Sequence, residues 1–154
     1  GSRPASLLKT GGIEYLELRG IDVNPFIPEG IDVSKIKLLD ISDYTKEEQE
    51  LLQERFPFVQ FVRRDIRSLS DSYELIRQCK HIVSVDTSLT HLSVTSGRQV
   101  HLLLPLFPDE RWVELLTVSG VYRDLVVPHR QTCFHDWNAP LRLVTEALGL
   151  LSPE

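Results

Sequence analysis

Residues 81–104, His-Ile-Val-Ser-Val-Asp-Thr-Ser-Leu-Thr-His-Leu-Ser-Val-Thr-Ser-Gly-Arg-Gln-Val-His-Leu-Leu-Leu, constrain the fold more than any other stretch. Ile82, Val83 and Val85 form a short apolar, β-branched run that suits a strand buried on both faces. The run stops at Asp86-Thr87-Ser88, three side chains whose oxygens can accept from the free N–H groups of a helix's first turn. Leu89, Leu92 and Ser93 follow at helical spacing, and Gly97 is placed to end the helix. Val100, Leu102, Leu103 and Leu104 make a second strand, closed by Pro105. Strand, helix and strand in this space is about the minimum length of a parallel crossover. A parallel α/β arrangement is the consequence.

That arrangement carries chemistry. The helix begins at the carboxyl end of the first strand, where open parallel sheets bind ligands. Its unpaired N–H groups and partial positive charge attract phosphate. Thr87 and Ser88 can add hydroxyl donors, and His91 lies one turn further on. The same residues also fit a plainer role, in which Asp86, Thr87 and Ser88 only cap the helix.

The rest of the chain repeats the alternation. Residues 3–10 read as the tail of a helix stopped by Gly11-Gly12, and Ile13 to Leu18 as a strand ending at Arg19-Gly20. A strand-end Arg19 can pair with phosphate or simply stay solvated. Residues 21–35 are turn-rich, with Asn24-Pro25, Pro28 and Glu29-Gly30. Ile36 to Ile41 is a candidate strand, followed by a helix over 46–55 capped by Asp43 or Thr45. Phe58, Val59, Phe61 and Val62 suggest the next strand, and Ser70-Asp71 the start of a helix over 71–79. Leu106 to Trp112 reads as a loop at the ligand edge, where Arg111 can neutralise a diphosphate and Trp112 can stack on a base or sugar. The alternative is that Trp112 packs beneath the loop and Arg111 pairs with Asp109 or Glu110. Leu125, Val126 and Val127 form a last strand ended by Pro128, with His129-Arg130-Gln131 at the same edge. Asp136 then caps a helix over 137–149 with the stripe Leu141, Val144 and Leu148.

At 154 residues the chain is long enough for one domain with a sizeable core. A net charge of −5 argues against nucleic-acid binding, and Asp65 breaks the only basic cluster, Arg63, Arg64 and Arg67. No apolar run reaches the length of a membrane span. Cys79 and Cys133 are too few for a disulfide framework and are not spaced as a metal site, which fits a cytoplasmic protein with reduced thiols. Gly1-Ser2 has the look of a cleavage scar, and with no Met in the sequence the natural start is expected to lie elsewhere. One domain over residues 3–154 is therefore expected.

Val85-Asp86-Thr87, His91-Leu92, Gly97, Leu103-Leu104-Pro105, Pro108-Asp109, Arg111-Trp112, Arg130-Gln131 and Asp136-Trp137 form an ordered series over residues 81–149. The series resembles the C-terminal half of family 9 glycosyltransferases, GT-B enzymes such as the lipopolysaccharide heptosyltransferases. It is more similar still to the glycosyltransferase-like domain of bacterial tetratricopeptide-repeat proteins. The resemblance implies a single Rossmann-like, three-layer α/β domain with a mainly parallel sheet of five or six strands, one half of a GT-B fold. It implies a nucleoside diphosphate sugar as substrate, with no cofactor and no metal. The donor and its phosphates are expected at Asp86, Thr87, Ser88, His91, Arg111, Trp112, Arg130 and Arg19, with Trp112 stacking on the base or sugar, and no residue is assigned a catalytic role. Family 9 enzymes commonly place Gly where this chain has Ser88, whose β-carbon holds a phosphate further out.

The expected function is thus the donor-binding half of a glycosyltransferase, completed by an N-terminal acceptor domain or attached to tetratricopeptide repeats. Alone, the chain is expected to be inactive. A non-catalytic interaction module keeping the same fold is the alternative. A hydrolase of another kind lacks support, because the sequence has no nucleophile elbow.

Overall fold

Every strand pairing among the described residues is parallel, and the reason is visible in the connections, each of which carries a helix. The computed structural model describes residues 38–40, 44–57 and 59–149. Its elements in order are β1 (Leu38–Asp40), α1 (Lys46–Arg55), β2 (Val59–Phe61), a single 3₁₀ turn at Arg63–Asp65, α2 (Leu69–Gln78), β3 (Val83–Ser84), α3 (Ser88–Thr95), β4 (Val100–Leu104), α4 (Glu110–Val118), α5 (Gly120–Leu125), β5 (Val126–Arg130) and α6 (Asn138–Ala147). The described strands form two ladders, β1 beside β2 and β3–β4–β5 with β4 in the centre. This is the α/β, Rossmann-like class anticipated from the crossover at 81–104. The expected single sheet of five or six strands is five described strands in two ladders. The expected helix tail at 3–10, the strand at 13–18, Arg19 and the loop at 21–35 lie outside the described residues.

Alternation along the strands builds two cores. Ile82, Val100, Leu102, Leu104 and Val126 turn to one side of the sheet and pack with Leu75, Ile76, Leu89, Val94 and Trp112. Val83 and Leu103 turn to the other side and pack with Val144, flanked by Val85, Trp137, Leu141 and Leu148 of and around α6. Because β4 is covered on both faces, all five of its residues are buried, including His101.

Local chemistry sets the helix ends. Thr45 and Glu48 form a reciprocal capping box at α1, and Ser68 and Asp71 form another at α2. The second box starts α2 at Leu69, two residues before the expected start. Gly97 ends α3 with a φ of +73°, while Arg98 N–H reaches back to the Ser93 carbonyl at 3.0 Å and Gly97 N–H to Val94 at 3.0 Å. Gly149 follows α6 with a φ of +66°.

The structure departs from the sequence expectation in three further places. Leu106 to Trp112 is not all loop: Asp109 accepts from Arg111 N–H, and α4 begins at Glu110. Pro128 does not end β5, which runs on to Arg130. β5 has a described neighbour on one side only, β4, and the N–H that proline lacks is tolerated on such an edge strand. Helix α5 was not anticipated at all.

Candidate functional site

The carboxyl end of the β3–β4–β5 ladder gathers the β3–α3 turn, the β4–α4 loop and the end of β5. Thr87 is the N-cap residue of α3, with extended backbone, but its side chain makes no capping bond. Its hydroxyl instead meets the Ser84 hydroxyl at 3.2 Å. Thr90 is fully buried and donates its hydroxyl to the Val85 carbonyl at 2.9 Å, which ties the turn to the strand. Neither Asp86, Thr87 nor Ser88 therefore acts as the simple side-chain cap that the sequence also allowed. The first-turn N–H groups of α3 keep no side-chain partner of that kind.

Asp86 is engaged elsewhere. Its carboxylate accepts from Arg111 Nη2 at 2.6 Å. Burial alone pushes the Asp86 pKa up, but the hydrogen bond from Arg111, the nearby Trp112 indole and the charges of Arg111 and His91 outweigh it, so the carboxyl titrates below its usual range. The same contact raises Arg111 above its usual value. Arg111 also lies 3.8 Å from Asp109. Its charge is thus already balanced, as the plainer reading of this residue held, although the main partner is Asp86, 25 positions away.

Trp112 is 1% exposed and is no open stacking platform for a base or sugar. Its ring lies parallel to His91, centroids 5.3 Å apart and planes 10° from parallel. The indole Nε1 is buried without a partner at hydrogen-bond geometry, yet it stands near enough to help hold Asp86 ionised. His91 Nδ1 meets the Tyr122 hydroxyl at 2.6 Å. Tyr122 also packs edge-on against Trp112, centroids 6.2 Å apart. Asp86, His91, Arg111, Trp112 and Tyr122 therefore form one continuous group.

Arg130 stands apart from that group. Its guanidinium donates to the Leu106 carbonyl through Nε at 2.8 Å and also through Nη2. Gln131, 6% exposed, accepts from Leu106 N–H with its side chain at 3.1 Å and donates its own N–H to Leu104 at 3.0 Å. Arg130 and Gln131 thus clamp the β4–α4 loop to the end of β5. Ser88 is exposed at the start of α3, and Arg19 lies outside the described residues.

Tyr122 is the member that sequence reasoning missed. The signal was weak: it sits in Val121-Tyr122-Arg123-Asp124, which shows no strand alternation and is too short for a clear helical stripe. Gln131 was noted only as part of a dipeptide. A second unassigned pair lies on the α6 side of the sheet, where His101 Nδ1 and His129 Nε2 are 3.0 Å apart and both residues are buried. No group of three or more metal-ligating side chains occurs among the described residues. Among them, too, no helix is long and apolar enough to cross a membrane.

Comparison with known proteins directs attention to the other end of the chain. The family model of glutamate–cysteine ligase matches residues 1–48. Glutamate–cysteine ligases of Erwinia tasmaniensis, Aliivibrio salmonicida and Shewanella oneidensis are each 46% identical to this chain over 41 residues, which is 27% of this chain and 8% of each relative. The chain thus covers a small fraction of these relatives' length, and the likeness leaves most of the α/β domain outside it. These findings overturn the glycosyltransferase expectation: the family that residues 1–48 match is a ligase family, not a GT-B or heptosyltransferase-like one. The assignment to a tetratricopeptide-associated donor domain goes with it. The ordered motif series over 81–149 failed as a family signal because most of its members have structural work in this fold. Asp109 caps α4, Trp112 fills the core, Arg130 clamps a loop, and Asp136 accepts from Asn138 N–H at the start of α6.

Proposed function

We propose that this chain takes part in joining glutamate to cysteine. The observation that carries the reading is the likeness of residues 1–48 to glutamate–cysteine ligases, at 46% identity over 41 residues. A carboxylate that is to be joined to an amine must be held in place, and cationic or N–H donors do this best. Arg19 lies within the matched segment and is the residue proposed to hold a substrate carboxylate, through its planar fork of donors. The edge formed by Asp86, Thr87, Ser88, His91, Arg111, Trp112 and Arg130 is proposed as a secondary polar surface. Its attraction for an anion would come from the α3 N–H groups, since both arginines are already engaged. The reading calls on no metal and no cofactor at that edge. A cytoplasmic location suits it, with Cys133 exposed as a free thiol.

Calorimetric titration of the chain with L-glutamate and with L-cysteine tests this. Saturable binding of at least one is expected, weakened about tenfold or more by Arg19→Ala, the usual effect of losing a charge-assisted hydrogen bond. No heat with either amino acid, on a sample that unfolds cooperatively, would refute the reading.

A further inference from the structure

His91 and Tyr122 bear on what chemistry the carboxyl edge can perform, whatever the substrate of the whole protein. The two side chains come from elements 31 residues apart and meet at 2.6 Å through His91 Nδ1. An N–H···O bond normally spans 2.7–3.2 Å, whereas a hydroxyl donor sits closer to its acceptor. The short separation therefore fits a phenol O–H donating to an unprotonated Nδ1. Proton accounting agrees. A neutral phenol has one proton to give, and His91 is the only hydrogen-bond partner of Tyr122 Oη among the described residues. Burial raises the Tyr122 pKa, so the phenol keeps its proton. A neutral imidazole whose Nδ1 accepts must carry its proton on Nε2.

The other ring nitrogen is open. His91 Nε2 has no protein partner among the described residues, and the only buried side-chain nitrogen or oxygen without a partner among them is Trp112 Nε1. His91 Nε2 is therefore in contact with solvent. The ring cannot swivel freely, because it is stacked on Trp112, a side chain locked in the core. Trp112 holds the plane of the ring, and the Tyr122 hydroxyl is placed to hold its proton.

We propose that Tyr122 is a positioning residue that holds neutral His91 as its Nε2–H tautomer, so that His91 offers the carboxyl edge a hydrogen-bond donor for an oxygen atom and not the lone pair of a general base. The inference does not rest on the proposed ligase function, and either can fail without the other.

Long-range proton–nitrogen correlation spectra of the ¹⁵N-labelled chain, recorded where histidines are neutral, report the tautomer of each ring directly. His91→Gln identifies the His91 signals. The expected pattern is a protonated Nε2 and an accepting Nδ1 in the parent chain. Tyr122→Phe should convert the His91 signals to a tautomer mixture while leaving those of His101 and His129 in place, a change that loss of packing alone would not confine to one ring. A protonated Nδ1 in the parent would overturn the proposal. So would a Tyr122→Phe spectrum with the His91 tautomer unchanged. The parent spectrum decides the tautomer even if the variant folds poorly.

Discussion

At the scale of single residues, burial decides reactivity. Cys79 is wholly buried, its thiol donates to the Leu75 carbonyl at 3.2 Å, and burial pushes its pKa up to about 12 despite the nearby Arg98. Cys133 is exposed. A thiol reagent at neutral pH should therefore modify Cys133 within minutes and reach Cys79 only on unfolding; two equally fast thiols would contradict the packing. The His101–His129 pair makes a second prediction. Burial lowers both, and the charges of His129 and His81 press His101 down further, to about 4 from 6.5. The unfolded chain takes up these protons first as pH falls. The pair's contribution to stability should be fully present above pH 6.5 and decline from there towards pH 4. Discounted for residual screening, the loss is about 2 kcal/mol. Urea midpoints measured across that range test it, and His101→Gln should reduce the slope.

At the scale of elements, caps and stops carry the consequences. Ser68→Ala removes the hydroxyl that accepts from Asp71 N–H at 3.2 Å and should cost about 1 kcal/mol in chemical denaturation. Gly97→Ala meets no atom within 4 Å of its new β-carbon, so its penalty is conformational alone, about 1–2 kcal/mol from the positive φ. A larger loss would mean that the end of α3 packs more closely than it does here. These elements were also the legible ones. The crossover at 81–104, the stop at Gly97, the stripe on α6 and a cap at Asp43 or Thr45, of which Thr45 is the one used, follow from period, capping chemistry and glycine placement. Helix α5 escaped because six residues supply less than two turns of pattern. The full length of β5 escaped because Pro128 usually ends a strand, and only its position at the edge of the described ladder excuses it.

At the scale of the molecule, the sequence was legible as architecture and misleading as function. The polar residues after β3 marked the ligand edge of the sheet, but Arg111, Trp112 and Arg130 were read as ligand contacts. In the fold Arg111 is held by Asp86, Trp112 by the core and Arg130 by Leu106. Such long-range partners, 24 or 25 residues away for the two arginines, leave no local pattern. The segment that carries the ligase likeness was read for a helix tail, a strand and turns, with Arg19 as a phosphate contact. Yet Ile13 to Asp22 interleaves Glu14, Glu17, Arg19 and Asp22 with apolar residues, more ionisable groups than a packed strand needs. We propose that residues 1–48 carry the substrate-binding function, and hydrogen–deuterium exchange of the whole chain with saturating L-glutamate or L-cysteine decides it. At least one of the two should slow amide exchange within residues 1–48, with little change in the α3 and α4 segments. Protection confined to the turn at Asp86–Ser88, or no protection anywhere, would contradict it.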